Sequence, residues 1–263
     1  MMKSLLAANR SEKDSFRIPH SVQQSIPIRR IYTDGIWQVG QKYSKTWRFS
    51  DINYAASSLD DRRSIFRSYG AVLNSLPTDA TAKITIINRR LNPVDFQRTM
   101  LMPECSDGLD YYRGEYNQII LDKAAESNNL VQEKYITMSI AKRKPEESRA
   151  YFRRVEGNLE KSFARLDSNA RPLDNYERLR LFHDFFRPGE EQYFEFDQSG
   201  AMRHGVDFKD LICPNGMVFR ADHFEMGGKY GRVLFLKSYA SYIKDEMISD
   251  MSEFARQLVL SID

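Results

Sequence analysis

Residues 31–49 read IYTDGIWQVGQKYSKTWRF, and this stretch indicates the fold class of the chain. Two short apolar runs flank Asp34-Gly35, a dipeptide that accepts the positive φ angles of a two-residue type I′ turn. We therefore predict a β-hairpin whose turn lies at Asp34-Gly35.

A third strand is predicted directly after Gly40, because large and polar side chains alternate there with the period of a strand. Tyr43, Trp47 and Phe49 fall on one face of this strand. Lys45 interrupts that face, so we expect the strand to lie near an edge of its sheet.

Helices and further strands follow this hairpin. A helix should begin at Ser57 or Ser58 and end before Pro77, and Asn92 with Pro93 predicts the start of a short helix. AKITIIN at 82–88 reads as a buried strand. A second long helix is predicted over about 107–127. Its expected buried face consists of Leu109, Tyr112, Tyr116, Ile119 and Ile120.

The next segment predicts a strand followed by two more helices. Ile136, Met138 and Ile140 alternate with polar residues, which is typical of a strand. A helix starting at Pro145 should bury Phe152, Val155, Leu159, Phe163 and Leu166. Asp174 and Glu177 have the spacing of a capping box for the last helix of this part.

The chain changes character after residue 187. EQYFEF, FKDLIC, MVFRADHFEM and RVLFLKSY are short aromatic-rich runs separated by Gly and Pro, and they predict short strands. A helix near 244–256 and a final strand in LVLSID should follow. We expect an N-terminal arm over 1–27, a helix-covered sheet domain over 28–187 and a β-rich subdomain over 188–263. The predicted fold class is α+β, a mixed or antiparallel sheet covered by helices, with possible ferredoxin-like elements.

The composition favours a soluble globular protein of the cell interior. The chain has 263 residues, with 39 Lys plus Arg against 36 Asp plus Glu, so its net charge of +3 does not by itself indicate nucleic acid or membrane binding. Two widely separated cysteines favour a reducing compartment. The apolar run from Leu5 to Ala8 is too short for a signal peptide.

Motifs for catalysis are incomplete throughout the sequence. MGGKYGR lacks the glycine spacing and the hydroxyl of a P-loop, so a hairpin turn explains Gly227 and Gly228 better. His183-Asp184 is the dipeptide of metal phosphohydrolases, but it lies in an apolar helix and no further ligands can be identified. The remaining possible ligands lack the close pairs of a zinc site; they are His204, Asp207, Cys213, Asp222 and His223. We predict that this chain has no catalytic, cofactor or metal residues.

Basic clusters are the remaining signal. They are Arg62, Arg63 and Arg67, then Arg89-Arg90, the KRK at 142–144, and Arg149 with Arg153. Acidic residues are interleaved nearly everywhere, which is typical of solvated faces. Phosphate contacts remain an alternative for these groups.

Four segments resemble one family. They are DGIWQVGQKYSKTWRFSDINYA (34–55), LNSLP (73–77), DFKDLICPNG (207–216) and GRVLFLKSYASYIKDEM (231–247). Together they are similar to the N-terminal region of the large conjugative ATPases of type IV secretion systems, the TraE/CagE/TrbE (VirB-like) type of Gram-positive integrative conjugative elements. YSKTWRFSDINY is the most distinctive of these signatures.

The resemblance implies a docking and assembly domain that precedes a motor domain. In that family ATP and magnesium bind to the motor, whose motifs this chain lacks. The implied partners are inner-membrane subunits of the secretion channel, the motor domain itself, and further copies in a hexamer. The implied location is cytoplasmic and peripheral at the inner face of the cell membrane. A DNA-contacting module and a metal-dependent hydrolase remain the alternatives. The candidate partner surface comprises Leu5, Leu6, Phe16, Ile18, Arg62, Arg63 and Arg67.

Overall fold

The computed structural model describes residues 21–52, 54, 57–90, 96–97, 100–126, 130–238, 241–242, 245–252 and 258–262. The short helix predicted at Asn92-Pro93 lies outside these residues. The helices are α1 (Val22–Ser25), α2 (Leu59–Asn74), α3 (Asp110–Glu126), α4 (Pro145–Ala164), α5 (Asn175–Phe186), α6 (Gln198–His204), α7 (Lys209–Ile212) and α8 (Asp245–Ser252). The strands are β1 (Ile28–Ile31), β2 (Trp37–Val39), β3 (Lys42–Phe49), β4 (Ala80–Arg90), β5 (Leu130–Ala141), β6 (Ala170–Pro172), β7 (Met217–Phe219), β8 (Phe224–Met226), β9 (Lys229–Gly231) and β10 (Leu258–Ile262).

The main sheet has the order β1-β2-β3-β5-β4-β10, and β6 also pairs with β3. Every pair is antiparallel. The succession β3-α2-β4-β5-α4-β6, with the spatial order β6-β3-β5-β4, is the β-α-β-β-α-β arrangement of ferredoxin-like folds. Helix α3 is inserted between β4 and β5. The predicted α+β class with an antiparallel, helix-covered sheet is therefore confirmed.

The main core lies between one face of the sheet and helices α2 and α4. Its members are buried apolar residues that share the strand period of β3 and β5 and the helical period of α4; they include Trp47, Ile136, Met138, Ile140, Phe152, Val155, Leu159 and Phe163. The predicted buried faces of β5 and of the helix at Pro145 are confirmed. Helix α2 contributes the buried Val72 to this core, whereas Phe66 on the same helix is 66% exposed.

The edge position predicted for β3 is wrong. This strand is central, with β5 along one side and β2 and β6 sharing the other. Lys45 is accommodated in the interior because its Nζ lies 2.7 Å from Oε2 of Glu156 on α4. A paired lysine can therefore occupy the helix-covered face of a central strand.

Side-chain caps begin two of the helices at the residues that the sequence indicates. The hydroxyl of Ser58 accepts a hydrogen bond from the amide of Asp61 at the start of α2. Asp174 and Glu177 form a complete capping box at α5. Both caps satisfy amide groups that have no partner within the helix.

The first turn differs in type from the prediction. Gly35 has a positive φ of 75°, whereas Asp34 does not. The amide of Gly35 donates to the carbonyl of Tyr32 at 3.0 Å, and the amide of Tyr32 donates to the carbonyl of Ile36 at 2.9 Å. These bonds describe a three-residue loop with a left-handed glycine, not the two-residue type I′ turn.

A second apolar cluster joins the hairpin to the part of the chain after α5. Ile28 and Trp37 pack with Leu179 of α5 and with Phe194 and Ile212. The last strand, β10, pairs with β4 in the main sheet. The proposed boundary near residue 187 stays a prediction.

The later segments contain fewer strands than predicted. MVFRADHFEM does form the hairpin β7-β8, and Gly227-Gly228, with φ of 55° and 71°, turns the chain into β9. EQYFEF instead holds a 3₁₀ turn (Glu191–Tyr193), and FKDLIC holds α7. Strand β9 ends at Gly231, and the described part of RVLFLKSY (232–238) contains no strand.

Candidate docking surface

The predicted partner surface is only partly visible in the structure. Leu5, Leu6, Phe16 and Ile18 lie outside the described residues. The three arginines lie on α2. Nε of Arg62 donates to the carbonyl of Tyr54 at 3.1 Å, and its guanidinium lies over the Tyr54 ring. Arg63 is exposed beside Asp60, and Arg67 is also exposed. Arg62 therefore holds the segment around Tyr54 against α2.

Helix α3 presents large apolar side chains to solvent, contrary to the prediction that it buries them. Leu109, Tyr112, Tyr116 and Ile119 are 52%, 65%, 44% and 54% exposed. Ile120, which was expected in the same buried face, is half-buried. The predicted burial of these side chains is therefore wrong, because nothing among the described residues covers them.

The N-terminal end of α3 is hydrogen-bonded to the loop before it. The carboxylate of Asp110 accepts hydrogen bonds from the amides of Cys105 and Ser106 at 3.0 and 2.9 Å. Arg113 lies 2.5 Å from Asp107. The hydrogen bond from Arg113, together with the amide of Leu109, lowers the pKa of Asp107 to about 2, so that this carboxylate is ionised and paired at neutral pH. Asn117 bonds both backbone groups of Met102.

A second exposed apolar segment follows β9. The side chains of Val233, Leu234, Phe235 and Leu236 are between 61% and 82% exposed. Arg232, just before them, is held by the carbonyl and the carboxylate of Asp222 at 2.7 and 3.0 Å. Consecutive apolar residues would face both sides of a strand, which is typical of a strand covered on both faces.

A shallow groove of about 370 Å³ lies beside the first hairpin. Arg29, Arg30, Tyr32, Gln38, Tyr43 and Pro145 line it. The hydroxyl of Tyr32 donates to Oε1 of Gln38 at 3.1 Å, and desolvation by burial, with Tyr32 nearby, raises the pKa of Tyr43. Tyr43 therefore stays neutral at physiological pH, and the charge of the groove comes from its arginines.

A buried arginine on α5 binds the backbone of this hairpin. Arg178 of α5 donates to the carbonyls of Gly35 and Ser44 at 2.9 and 3.1 Å, and its guanidinium lies 4.2 Å from the Trp37 ring centroid. Burial lowers the pKa of Arg178 to about 9. The side chain still carries its charge at pH 7, stabilised by carbonyl dipoles and by the ring.

Another charged cluster lies on β5. Glu133 is buried and accepts from Nε of Arg89 at 2.9 Å and from the hydroxyl of Tyr135 at 2.9 Å, while Arg48 lies 3.3 Å away. Burial opposes the ionisation of Glu133, but Arg89 outweighs it, so the pKa of Glu133 lies below its ordinary value. Because every member has a partner, the cluster serves the sheet rather than a ligand.

His183 and Asp184 are both largely buried on α5, with Nδ1 of the histidine 3.5 Å from Oδ1 of the aspartate. Neither of these two atoms has a hydrogen-bond partner among the residues that the structure describes. The His183 ring packs against Phe194, 5.0 Å between centroids. Across the described ranges no three His, Cys, Asp or Glu side chains gather in a way that could hold a metal ion. The hydrolase hypothesis therefore gains no ligand set from the structure.

The described surfaces that could bind a partner are therefore the exposed face of α3, residues 233–236 and the groove beside the first hairpin. Sequence reasoning named neither apolar surface as exposed, although the continuous apolar run at 233–236 was a usable signal. In the part of the chain that the structure covers, no helix is both long enough and apolar enough to cross a membrane. The sequence matches no protein-family model, and a search of curated proteins finds no match.

Proposed function

We propose that this chain is the non-catalytic docking and assembly domain of a conjugative type IV secretion ATPase, and that it attaches the motor to inner-membrane subunits of the channel. The supporting observation is the exposed segment Val233–Leu236. It lies within GRVLFLKSYASYIKDEM, one of the blocks that carry the resemblance. The resemblance and the exposed surface therefore converge on the same residues.

Strand addition is the mode of docking that this segment fits. Its residues are β-branched, aromatic or aliphatic, and it continues directly from β9. An extended partner strand could hydrogen-bond to its backbone while the apolar side chains enter pockets of the partner. The pair between Arg232 and Asp222 fixes the position where the exposed run begins.

The experiment is expression of the chain in a donor cell that carries an intact conjugation system. We expect the chain to co-sediment with membranes only when the channel subunits are present, and to reduce DNA transfer by competing with the complete ATPase. Phe235→Glu should abolish both effects. Phe66→Glu on α2 is the matched control, because Phe66 is also strongly exposed. A wild-type chain that stays in the supernatant and leaves transfer unchanged would refute the proposal.

The N-terminal arm is a second element of the docking proposal. Leu5, Leu6, Phe16 and Ile18 could order against a partner on binding. Deletion of residues 1–20, which spares the contacts of Gln23 and Ile26 with Lys209, should weaken co-sedimentation and leave the melting temperature of the remaining domain unchanged. Equal co-sedimentation of both forms would show that docking does not need the arm.

The groove beside the first hairpin favours contact with DNA as the second candidate function. Arg29 and Arg30 form no ion pair with any described residue, and they line a concave surface together with two tyrosines. Backbone phosphates are bound in this way. Fluorescence anisotropy of a labelled single-stranded oligonucleotide should then show that the affinity of the chain falls steeply as the salt concentration rises. The slope of log affinity against log salt should be smaller for Arg30→Ala than for Arg63→Ala. Binding that is absent at low salt would remove this candidate.

A further inference from the structure

Helix α3 carries an apolar strip, which we define as Leu109, Tyr112, Tyr116 and Ile119. The first residue immediately precedes the helix, and the other three lie within it. All four are about half exposed or more. Monomeric proteins seldom leave an ordered row of large apolar side chains in solvent, so this strip indicates an interface.

The spacing of the strip identifies the shape of its partner. The four residues follow one another at intervals of three, four and three, and Lys123 extends the row by four. Alternating intervals of three and four form the narrow seam along which one helix packs on another. A helix, rather than a strand or a loop, is therefore the expected cover.

The strip is complementary to itself when two copies run in opposite directions. The intervals read the same from either end, so an antiparallel copy places Leu109 opposite Ile119 and Tyr112 opposite Tyr116. Each aliphatic residue then meets an aliphatic residue, and each ring meets a ring. This is the self-complementarity that a two-fold interface requires.

Charge also favours the antiparallel arrangement. The same register brings Lys123 of one copy to the loop of the other that contains the exposed Glu104 and Cys105. That loop is held against α3 by Asp110. A parallel arrangement would place each lysine against its own equivalent, which is unfavourable.

We propose that two copies of this chain associate through an antiparallel pairing of their α3 helices. This inference does not depend on docking to the channel. The strip exposes on the order of 400 Å² per copy, since an aromatic side chain presents roughly 150–250 Å². Even with its rim, the interface lies at the low end of specific interfaces, roughly 1,200 Å² in total. The expected dimer is therefore weak, with a dissociation constant in the range of about 1–100 µM.

Sedimentation equilibrium of the full chain at about 1–200 µM, which spans that range, tests the pairing. The wild type should shift from monomer to dimer as concentration rises. Tyr112→Glu should raise the dissociation constant at least about tenfold, the effect of charging a central interface residue. Leu121→Glu is the matched control, because Leu121 is also an exposed apolar residue of α3 but lies on the face of the helix opposite to Tyr112. It should leave the dimer unchanged.

A cross-linking experiment tests the register. In a Cys213→Ser background, Lys123→Cys places a thiol opposite Cys105 of the other copy. Copper-phenanthroline and dioxygen should oxidise these two thiols to a disulfide between residue 123 of one copy and Cys105 of the other. Peptide mapping identifies the link. A link between the two introduced thiols would instead indicate a parallel pair and overturn the proposed arrangement.

Three outcomes of sedimentation would overturn the pairing: a monomer at every concentration, a dimer that Tyr112→Glu leaves intact, or an equal effect of Leu121→Glu and Tyr112→Glu. Each variant is checked for an unchanged melting temperature first. Because purified protein is used, a failed self-association would leave the docking proposal standing, and a failed docking assay would leave this result standing.

Discussion

Arg178 donates a hydrogen bond of 2.9 Å from Nη1 to the carbonyl oxygen of Gly35, so that a buried cation on α5 supports the turn of the first hairpin. The two residues are distant in sequence, and their contact joins the hairpin to the helix that follows the ferredoxin-like unit. Trp37 strengthens this junction, because its indole nitrogen donates to Asn175 at 2.8 Å while its ring faces the guanidinium.

Loss of the Arg178 guanidinium should destabilise the domain. Arg178→Ala removes the hydrogen bonds that the guanidinium donates to the carbonyls of Gly35 and Ser44 and its contact with the Trp37 ring. We expect it to lower the free energy of unfolding by about 2–4 kcal/mol. Chemical denaturation at pH 7 measures this change. Arg63→Ala, at an exposed position, should alter it by less than about 0.5 kcal/mol. Equal effects of both variants would contradict the structural role of Arg178.

Gly35→Val tests the geometry of the turn. A Cβ at this position would lie 2.6 Å from the carbonyl oxygen of Leu173, and φ is positive. Strain and crowding together should lower the free energy of unfolding by about 2–4 kcal/mol. Gly40→Val is the control, because Gly40 also has a positive φ but its Cβ would meet nothing within 4 Å. It should cost only about 1–2 kcal/mol, and an inverted order of the two melting temperatures would contradict the crowding.

The stability of the domain should fall in acid because of Glu133. Its pKa in the folded state is lower than in the unfolded chain, so the unfolded chain binds more protons once the pH falls below the ordinary carboxyl range. The contribution of the carboxylate is fully present above about pH 5 and is lost as the pH falls through the folded-state pKa.

Glu133→Gln removes this contribution. The variant should be less stable than the wild type at pH 7, and the difference should shrink as the pH falls below about 4.5. Urea denaturation at several pH values gives the comparison. Glu147→Gln, at an exposed position on α4, is the control and should follow the wild type. A difference that stays constant from pH 7 to pH 3 would contradict the assignment.

The purified chain should not bind ATP. The Gly227-Gly228 pair forms the turn between β8 and β9, with backbone geometry of a hairpin rather than of a phosphate-binding loop. Titration calorimetry with MgATP should give no saturable heat, and an authentic P-loop ATPase under the same conditions is the control. A stoichiometric site of micromolar affinity would contradict this prediction.

Local chemistry made much of the main sheet predictable. The caps at Ser58 and Asp174 begin helices at the expected residues, and the alternation at 136–140 identifies a buried strand. β6 was missed because Ala170–Pro172 is only three residues long, and its pairing with β3 depends on contacts far away in sequence. Secondary structure that is decided by tertiary contacts leaves little trace in local patterns.

Exposure was the least predictable property. The apolar strip of α3 has the spacing of a buried face, and spacing alone does not say which surface covers it. The run at 208–213 reads as a strand by its aromatic and aliphatic residues, yet Lys209–Ile212 forms a short helix with Ile212 in the second core cluster. Arg178 gave no sequence signal, since its partners lie on the first hairpin and β3, far away in sequence.

The register of β4 and β5 shows that the segment containing α3 is an insertion between the ends of two paired strands. Arg90 pairs with Leu130, so the chain leaves the sheet and returns to it at adjacent points. A tight turn could join those two strand ends, and lengthening or shortening such an excursion costs little in chain entropy. Segments of other lengths could therefore replace residues 91–129 while the sheet stays the same, and such a replacement would remove the pairing proposed for α3.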